Sequence, residues 1–161
     1  MIIIGVDPGI TGGIAVLDDG HLMAVYDMPT VDVPYKNKTR KEVDPFRLHE
    51  ILYENCHITI VVESVNAFKG QGVTSMFRFG ESFGIIKGVA SCCVFSQNLI
   101  FVKPQVWKRK MNLLKTEKDD ARLLCLDMFA SNKEWFKLKK HSGRADAALI
   151  AMSAYLDLNK E

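Results

Sequence analysis

Two apolar, β-branched runs of this chain each end in an acidic residue. Residues 1–7 read MIIIGVD and residues 57–63 read HITIVVE, so Asp7 and Glu63 close strands that suit burial on both faces of a sheet. Burying either carboxylate alone is costly, so both should meet cations or hydrogen-bond donors where the strands leave the core. If the two strands are neighbours, their ends lie about 5 Å apart. The pattern therefore predicts a cation-binding edge on a buried sheet.

The remaining pattern indicates one α/β domain spanning residues 1–161. Asp18-Asp19-Gly20 is typical of a hairpin between strands at 14–17 and 21–27, and a fifth strand is predicted at 99–102. Residues 28–43 are polar and predict an exposed loop. Helices are expected after Asp44-Pro45, after a Thr74 cap, from Pro104, and at 119–129 and 145–158. We expect a five-stranded mixed sheet, three antiparallel strands followed by parallel crossover strands, flanked by helices.

Charge and hydropathy limit the function classes. The chain has 21 Lys+Arg against 19 Asp+Glu, a formal net charge of +2, so nucleic-acid binding would need a local basic face. No stretch approaches the ~20 apolar residues that cross a bilayer, and the N-terminus lacks signal-peptide features, so an intracellular protein without membrane contact is expected. The four cysteines show neither zinc-site nor disulfide-framework spacing and are expected to be reduced packing residues.

A third acid extends the predicted cation site. Asp146 lies in GRADAALIA, near the start of the final apolar helix, which can pack across the two acid-ended strands. Three hard oxygen ligands suit Mg²⁺ or Mn²⁺ rather than zinc, and a pair of such ions supports phosphodiester hydrolysis. Each acid alone is equally consistent with an ordinary strand end or helix cap, so the interpretation depends on their joint placement.

Five segments give the chain a family resemblance. They read IIIGVDPGITGGIAVL, IVVESVNAFKGQGVTSMFRFGESFGIIKG, VKPQVWKRKMNL, KDDARLLCLDMF and KKHSGRADAALIA. In this order the chain resembles the RuvC-type Holliday junction resolvases, particularly the short RuvC-like proteins of phages, other viruses and organelles. The resemblance implies an RNase H-like fold, a homodimer, four-way junction DNA as the partner, and Mg²⁺ as the cofactor, with Mn²⁺ able to substitute.

The resemblance also implies roles for individual residues. Asp7, Glu63 and Asp146 become metal-binding catalytic acids, and Lys108 would hold the scissile phosphate or stabilise transition-state charge. The family usually has a fourth acidic or histidine ligand three or four residues before the last Asp. Here those positions are Gly143 and Ser142, so we expect His141, five residues before, to be the fourth ligand in preference to Ser142.

Several basic and loop residues are candidate DNA contacts. Phe68 would stack on an unpaired base, and Arg144 is equally plausible as a partner of Asp119 or Asp120. The full set of candidates is Asn66, Phe68, Lys69, Gln71, Arg78, Lys103, Lys108, Lys118, Arg122 and Arg144. A stripe of Gly80, Gly84 and Gly88 is explained either by close packing on the sheet or, as the resemblance suggests, by a dimer interface.

The predicted function is paired, metal-dependent hydrolysis of opposed strands of a four-way DNA junction, leaving 5′-phosphate and 3′-hydroxyl ends as the resemblance implies. One alternative is a nuclease of the same fold acting on another branched DNA or an RNA/DNA hybrid. The other is a junction-binding protein with weakened catalysis, motivated by the missing fourth acid. A sugar-kinase-like or actin-like ATPase is not expected, because 161 residues do not accommodate the two repeated halves that clamp a nucleotide. No small-molecule cofactor is predicted.

Overall fold

A computed structural model describes residues 1–53, 59–66, 70 and 72–160. The strands are β1 (Ile2–Asp7), β2 (Gly13–Asp18), β3 (His21–Asp27), β4 (Thr30–Tyr35), β5 (Lys38–Val43), β6 (Thr59–Glu63) and β7 (Leu99–Val102). The α-helices are α1 (Pro45–Tyr53), α2 (Val73–Cys93), α3 (Pro104–Lys110), α4 (Asp120–Met128) and α5 (Ser142–Leu158). Short 3₁₀ segments cover Ser96–Asn98, Ala130–Phe136 and Lys139–His141.

The main sheet confirms the predicted topology. Its strand order is β3-β2-β1-β6-β7, with β1, β2 and β3 antiparallel and with β6 and β7 parallel to β1. The parallel register pairs Val6 with Val62, so Asp7 and Glu63 follow side by side at the carboxyl ends of neighbouring strands. The sheet therefore brings together two acids that lie far apart in the sequence.

Helices pack on both faces of the sheet and thereby bury β1 on both sides. Ile3 faces a core formed with α5, α4 and Trp107 of α3, whereas Ile4 and Val6 face a second core formed with α1 and α2. Between them, Gly5 allows α5 to lie directly on the strand. A Cβ atom at Gly5 would come within 2.1 Å of the Ala147 carbonyl oxygen. This contact fixes α5, and with it Asp146, against the strand that carries Asp7.

The segment predicted as an exposed loop, residues 28–43, is instead largely a β-hairpin. β4 and β5 form a separate two-stranded antiparallel sheet, in which Thr30 pairs with Val43 and Tyr35 with Lys38. The loop prediction was wrong because Pro34 and the basic residues outweighed the alternation of Val31, Val33 and Tyr35. Both strands of a two-stranded sheet are edges, so a proline is tolerated there.

The structure confirms one predicted helix start and corrects two others. Asp44 caps α1 as expected, since its Oδ1 accepts the backbone N–H groups of Phe46 at 3.0 Å and Arg47 at 3.1 Å. The expected Thr74 cap is wrong, because α2 already begins at Val73 after Gly72, with no side-chain cap hydrogen bond. The last helix begins at Ser142, three residues before the predicted start at residue 145.

The sequence predicted reduced cysteines and no membrane-spanning helix, and the structure addresses both for the residues that it describes. Cys92, Cys93 and Cys125 are free thiols, and Cys56 lies outside the described residues. None of the helices in the described part of the chain has the length and apolar character needed to span a bilayer.

Candidate active site

Three carboxylates converge where β1 and β6 end. Asp7 and Glu63 occupy the carboxyl ends of these strands, and Asp146 projects from α5, which packs across β1. The negative charges of Asp146 and Glu63 both act on Asp7, and the charge of Glu63 also acts on Asp146. The structure thus places the three sequence-predicted acids in one electrostatically coupled cluster.

Partial burial raises the pKa of all three acids, and repulsion between carboxylates adds to the shift for Asp7 and Asp146. Desolvation, followed by repulsion from Asp146 and Glu63, raises the pKa of Asp7 well above its ordinary value. Desolvation is also the main cause that raises the pKa of Asp146 to about 6 and raises the pKa of Glu63. Lys108 acts in the opposite direction on all three groups. Ionising all three acids together is therefore unfavourable in the metal-free protein, and Lys108 offsets only part of that cost.

Trp107 orients one of the acids. The indole is fully buried, and its Nε1–H donates to Oε1 of Glu63 at 2.8 Å. Pro104 begins α3, so that the next turn carries Trp107 into the core and Lys108 to the cluster; the Nζ of Lys108 lies 5.3 Å from the indole centroid. This hydrogen bond joins residues 44 positions apart in the chain, a contact that the sequence pattern does not reveal.

A cleft of about 320 Å³ opens beside the carboxylates. It is lined by Asp7, Pro8, Glu63, Ser64, Val65, Asn66, Phe79, Pro104 and Gln105. Asn66 is exposed and lines this cleft, so it stays a candidate DNA contact. The cleft is open and contains acidic, amide and hydroxyl groups, so a phosphodiester and its counterions can enter from solvent.

The donor set fits a hard divalent cation. Carboxylate oxygens are the ligands that Mg²⁺ and Mn²⁺ prefer, and a bound cation would relieve the repulsion that adds to desolvation in raising the pKa values of Asp7 and Asp146. As the side chains stand, no three His, Cys, Asp or Glu residues among the described residues form a group spaced to hold a metal ion.

The expected fourth ligand, His141, does not join this cluster. His141 is buried, and its Nδ1 accepts the backbone N–H of Leu138 at 3.4 Å. Burial and then the charge of Arg144 lower its pKa, while Asp27 is the carboxylate that raises it. The metal site that includes His141 is thus not assembled in this conformation.

Backbone packing closes Gly143, one of the two positions at which the resemblance leads us to expect an acidic or histidine ligand. A Cβ atom there would lie 2.5 Å from the Thr11 carbonyl oxygen and 2.6 Å from the Gly12 carbonyl carbon. Both contacts are with backbone atoms, which cannot swing aside as a flexible side chain does. Glycine at position 143, in place of a larger ligand residue, therefore allows α5 to pack closely on the loop between β1 and β2.

Two arginines predicted to contact DNA have structural partners. Arg122 is buried, binds both carboxylate oxygens of Asp119 at 2.7 and 2.6 Å, and donates to the Phe136 carbonyl oxygen at 3.0 Å. Its expected DNA contact is corrected to a role in packing α4. Arg144 binds Asp27 through two hydrogen bonds of 2.6 and 2.8 Å. The suggested partners Asp119 and Asp120 were wrong because β3 places Asp27 beside the start of α5.

The other candidate DNA contacts lie in different environments. Lys103 and Lys118 are exposed, and Arg78 is exposed with its guanidinium 4.9 Å from the Tyr35 ring centroid. The loop candidates Phe68, Lys69 and Gln71 lie outside the described residues.

The glycine stripe on α2 does not pack on the sheet. Gly80, Gly84 and Gly88 are exposed, and a Cβ atom at any of them would meet nothing within 4 Å. The buried residues of α2 are Ser82, Ile86 and Ala90. The packing explanation was therefore wrong, whereas the dimer-interface explanation remains a prediction.

The raised pKa values predict an unusual pH dependence of stability. Below about pH 4 the acids are protonated in both the folded and unfolded states; above it the unfolded chain loses these protons first. Folding therefore favours protonation, and the stability of the metal-free protein should fall as pH rises from about 4 through the folded-state pKa of Asp146, about 6, and further as Asp7 ionises. The lowered pKa values of Asp27 and Asp119 act at lower pH.

Thermal melts between pH 4.5 and 8 in a chelator measure this decline. Asp146→Asn should flatten it, and Mg²⁺ should restore wild-type stability mainly at the alkaline end. Asp32→Asn is the matched control because Asp32 lies on the exposed hairpin, where its partner is Lys41 at 3.6 Å. A wild-type melting temperature that rises steadily over this range, unaffected by Mg²⁺, would contradict the electrostatic description.

Comparison with known proteins identifies the fold. The chain matches T. thermophilus RuvC in complex with a Holliday junction substrate, with TM-score 0.65 and 21% sequence identity over 98% of this chain and 94% of that chain. It also matches a second structure of T. thermophilus RuvC, with TM-score 0.55 and 17% identity over 98% of this chain and 96% of that one. No protein-family model and no curated protein sequence matches the chain. The chain thus has the RNase H-like fold of RuvC, as the sequence predicted.

Proposed function

We propose that this chain is a metal-dependent endonuclease that resolves four-way DNA junctions. The observation that carries the proposal is the convergence of Asp7, Glu63 and Asp146 beside an open cleft, on a fold shared with RuvC. Three partly buried acids at one edge of the sheet make the metal-free protein less stable when they ionise, and a bound cation would offset that cost. A T. thermophilus RuvC with this fold is described in complex with a Holliday junction substrate, which supports the choice of substrate.

The reaction proposed is hydrolysis of the bond between phosphorus and the 3′-oxygen. Water adds to phosphorus, its proton leaves to solvent, and the departing 3′-oxygen takes up a proton, giving 5′-phosphate and 3′-hydroxyl ends. Mg²⁺ held by the three carboxylates would activate the water and neutralise the leaving oxygen. Trp107 keeps Glu63 in one orientation by its hydrogen bond, and Lys108 supplies a positive charge close to all three acids.

Replacement of Lys108 is expected to lower the rate of the cutting step more than it lowers the affinity for DNA. Replacing it with glutamine removes a fixed positive charge beside the place where phosphate charge develops, so single-turnover cutting should slow by about 10²–10³-fold. Arg109→Gln is the matched control, because Arg109 is exposed on the same helix and one position along. Equal rate losses in both variants would assign Lys108 to general electrostatic attraction instead.

Two symmetric cuts in a two-fold substrate need two active sites at a fixed separation, so we propose a homodimer. The exposed stripe of Gly80, Gly84 and Gly88 supports a dimer surface on α2, since it offers a flat backbone to a second copy. Phe77, on the same helix, is 72% exposed and could be covered by the partner. Sedimentation equilibrium of the whole chain tests the assembly directly.

A panel of labelled substrates tests the proposed function. With Mg²⁺ or Mn²⁺, the protein should cut a four-way junction in opposed strands faster than a flap, a linear duplex or an RNA/DNA hybrid. Preferential cutting of the hybrid or of the flap would favour the alternative nuclease of the same fold.

The closed position at Gly143 favours a second candidate, a junction-binding protein with weakened catalysis. A centre with three acids in place of four would bind cations less tightly, because each ligand charge adds to the attraction. Tight junction binding without nicking at high Mn²⁺ concentration would support this candidate and contradict the resolving enzyme.

A further inference from the structure

We propose that a lysine-lined cleft next to the carboxylates binds the DNA backbone that flanks the scissile phosphate. This inference rests on the proposed function. The cleft has a volume of about 550 Å³ and lies at the start of α5. Its lining residues are Thr11, Lys118, Asp119, Lys139, Lys140 and Ser142, and we call it the lysine cleft.

The lysine cleft has an uncompensated positive charge. Lys118, Lys139 and Lys140 are exposed, and none of them forms an ion pair with another described residue. Asp119 is the acid in the lining, and both of its carboxylate oxygens are bound by Arg122. Three lysine charges therefore face a cavity whose single negative charge is already neutralised, which favours a polyanion.

The remaining lining groups suit phosphate rather than a nucleobase. Thr11 and Ser142 supply hydroxyl groups, which bind phosphate oxygens in many protein–DNA contacts. No aromatic side chain lines the cleft, so a base would find no stacking partner there. Its volume exceeds what one phosphate requires, so it accommodates a stretch of backbone. The binding expected is thus independent of base sequence.

The lysine cleft lies close to the carboxylate cluster. The positive charge of Lys118 acts on Asp146 and lowers its pKa, although desolvation outweighs this effect. Thr11 belongs to the loop that follows Asp7, and its carbonyl oxygen packs against Gly143 of α5. A DNA strand that places one phosphate at the acids therefore finds a basic surface along the same edge. Ser142, the less favoured of the two candidates for the fourth ligand, is on this surface and does not line the carboxylate cleft.

The salt dependence of junction binding tests the inference. Asp7→Asn protein keeps the DNA intact, and Lys139→Gln and Lys140→Gln are each introduced into that background. Loss of one phosphate contact should weaken binding severalfold for all junction sequences and reduce the slope of log affinity against log salt by about 0.9. Lys160→Gln is the matched control, because it makes the same charge change just beyond the opposite end of α5.

The outcomes separate this inference from the proposed function. If Lys139→Gln and Lys140→Gln both retain the slope of the Lys160→Gln control while the parent protein binds junctions tightly, the lysine cleft is not a DNA contact. If the parent protein itself shows no preference for a four-way junction over linear duplex, the proposed function fails instead.

Discussion

Asp7→Asn and Glu63→Gln are each expected to abolish strand cutting while the protein still binds four-way junctions. Each replacement removes one negative charge from a cluster whose proposed role is to hold Mg²⁺, but keeps the volume of the side chain. Because the acids act as a unit, loss of one should lower the single-turnover rate by on the order of 10³-fold or more. Glu63→Gln keeps a carbonyl oxygen that can still accept the Trp107 hydrogen bond. A loss of cutting activity in this variant would therefore report on the missing charge rather than on a changed orientation of the side chain.

Binding should persist in these variants because the proposed backbone contacts lie elsewhere, and removing a negative charge near DNA reduces repulsion. Junction affinity measured in a chelator should therefore equal or exceed that of the wild type. Asp32→Asn, an exposed acid on the hairpin, serves as the charge-matched control and should cut normally. Full activity in either Asp7→Asn or Glu63→Gln would remove these residues from the catalytic site.

Gly5→Ala is expected to produce the largest loss of stability. The added methyl group would lie 2.1 Å from the Ala147 carbonyl oxygen, 2.7 Å from the Ala151 backbone nitrogen and 2.9 Å from its Cβ. Two of these atoms are backbone, so either α5 moves away from β1 or the strand distorts. Overpacking of this kind should cost about 3 kcal/mol, a melting temperature lower by on the order of 10 °C.

The same displacement should reduce cutting, because α5 carries Asp146 and β1 carries Asp7. Cutting by Gly5→Ala is therefore expected to fall even at temperatures where the protein is fully folded, with near-ultraviolet circular dichroism as the check on folding. Gly72→Ala is the matched control, since a methyl group there meets nothing within 4 Å and alanine readily adopts its φ of −62°. Equal stability of the two variants would show that α5 does not rest on Gly5.

The sequence predicted the parts of the site that depend on strand patterning. Asp7 and Glu63 could be found because apolar strands buried on both faces make a terminal acid conspicuous, and the parallel register then aligns them. The RNase H-like topology followed from the order of the elements and the resemblance, and the comparison with RuvC confirms it. Strand-end acids and element order are local or sequential properties, which a single sequence contains.

The features that sequence analysis missed depend on contacts between distant segments. Arg122 looked like a surface cation because helical spacing cannot reveal that the Phe136 carbonyl oxygen covers it. The hairpin at residues 30–43 was missed because its alternating pattern is interrupted by a proline and several cations. The preference for His141 as a ligand rested on its chemistry and its place five residues before Asp146, and neither reveals that its Nδ1 accepts the backbone N–H of Leu138.

The central claim is that Asp7, Glu63 and Asp146 bind divalent cations together. Anomalous diffraction from crystals of the whole chain soaked in Mn²⁺ measures this directly, and Asp7→Asn crystals provide the comparison. We predict at least one strong anomalous peak within bonding distance of oxygens from all three residues, weakened or absent in Asp7→Asn. Mn²⁺ bound elsewhere, with these carboxylates pointing away from one another at saturating metal, would contradict the account.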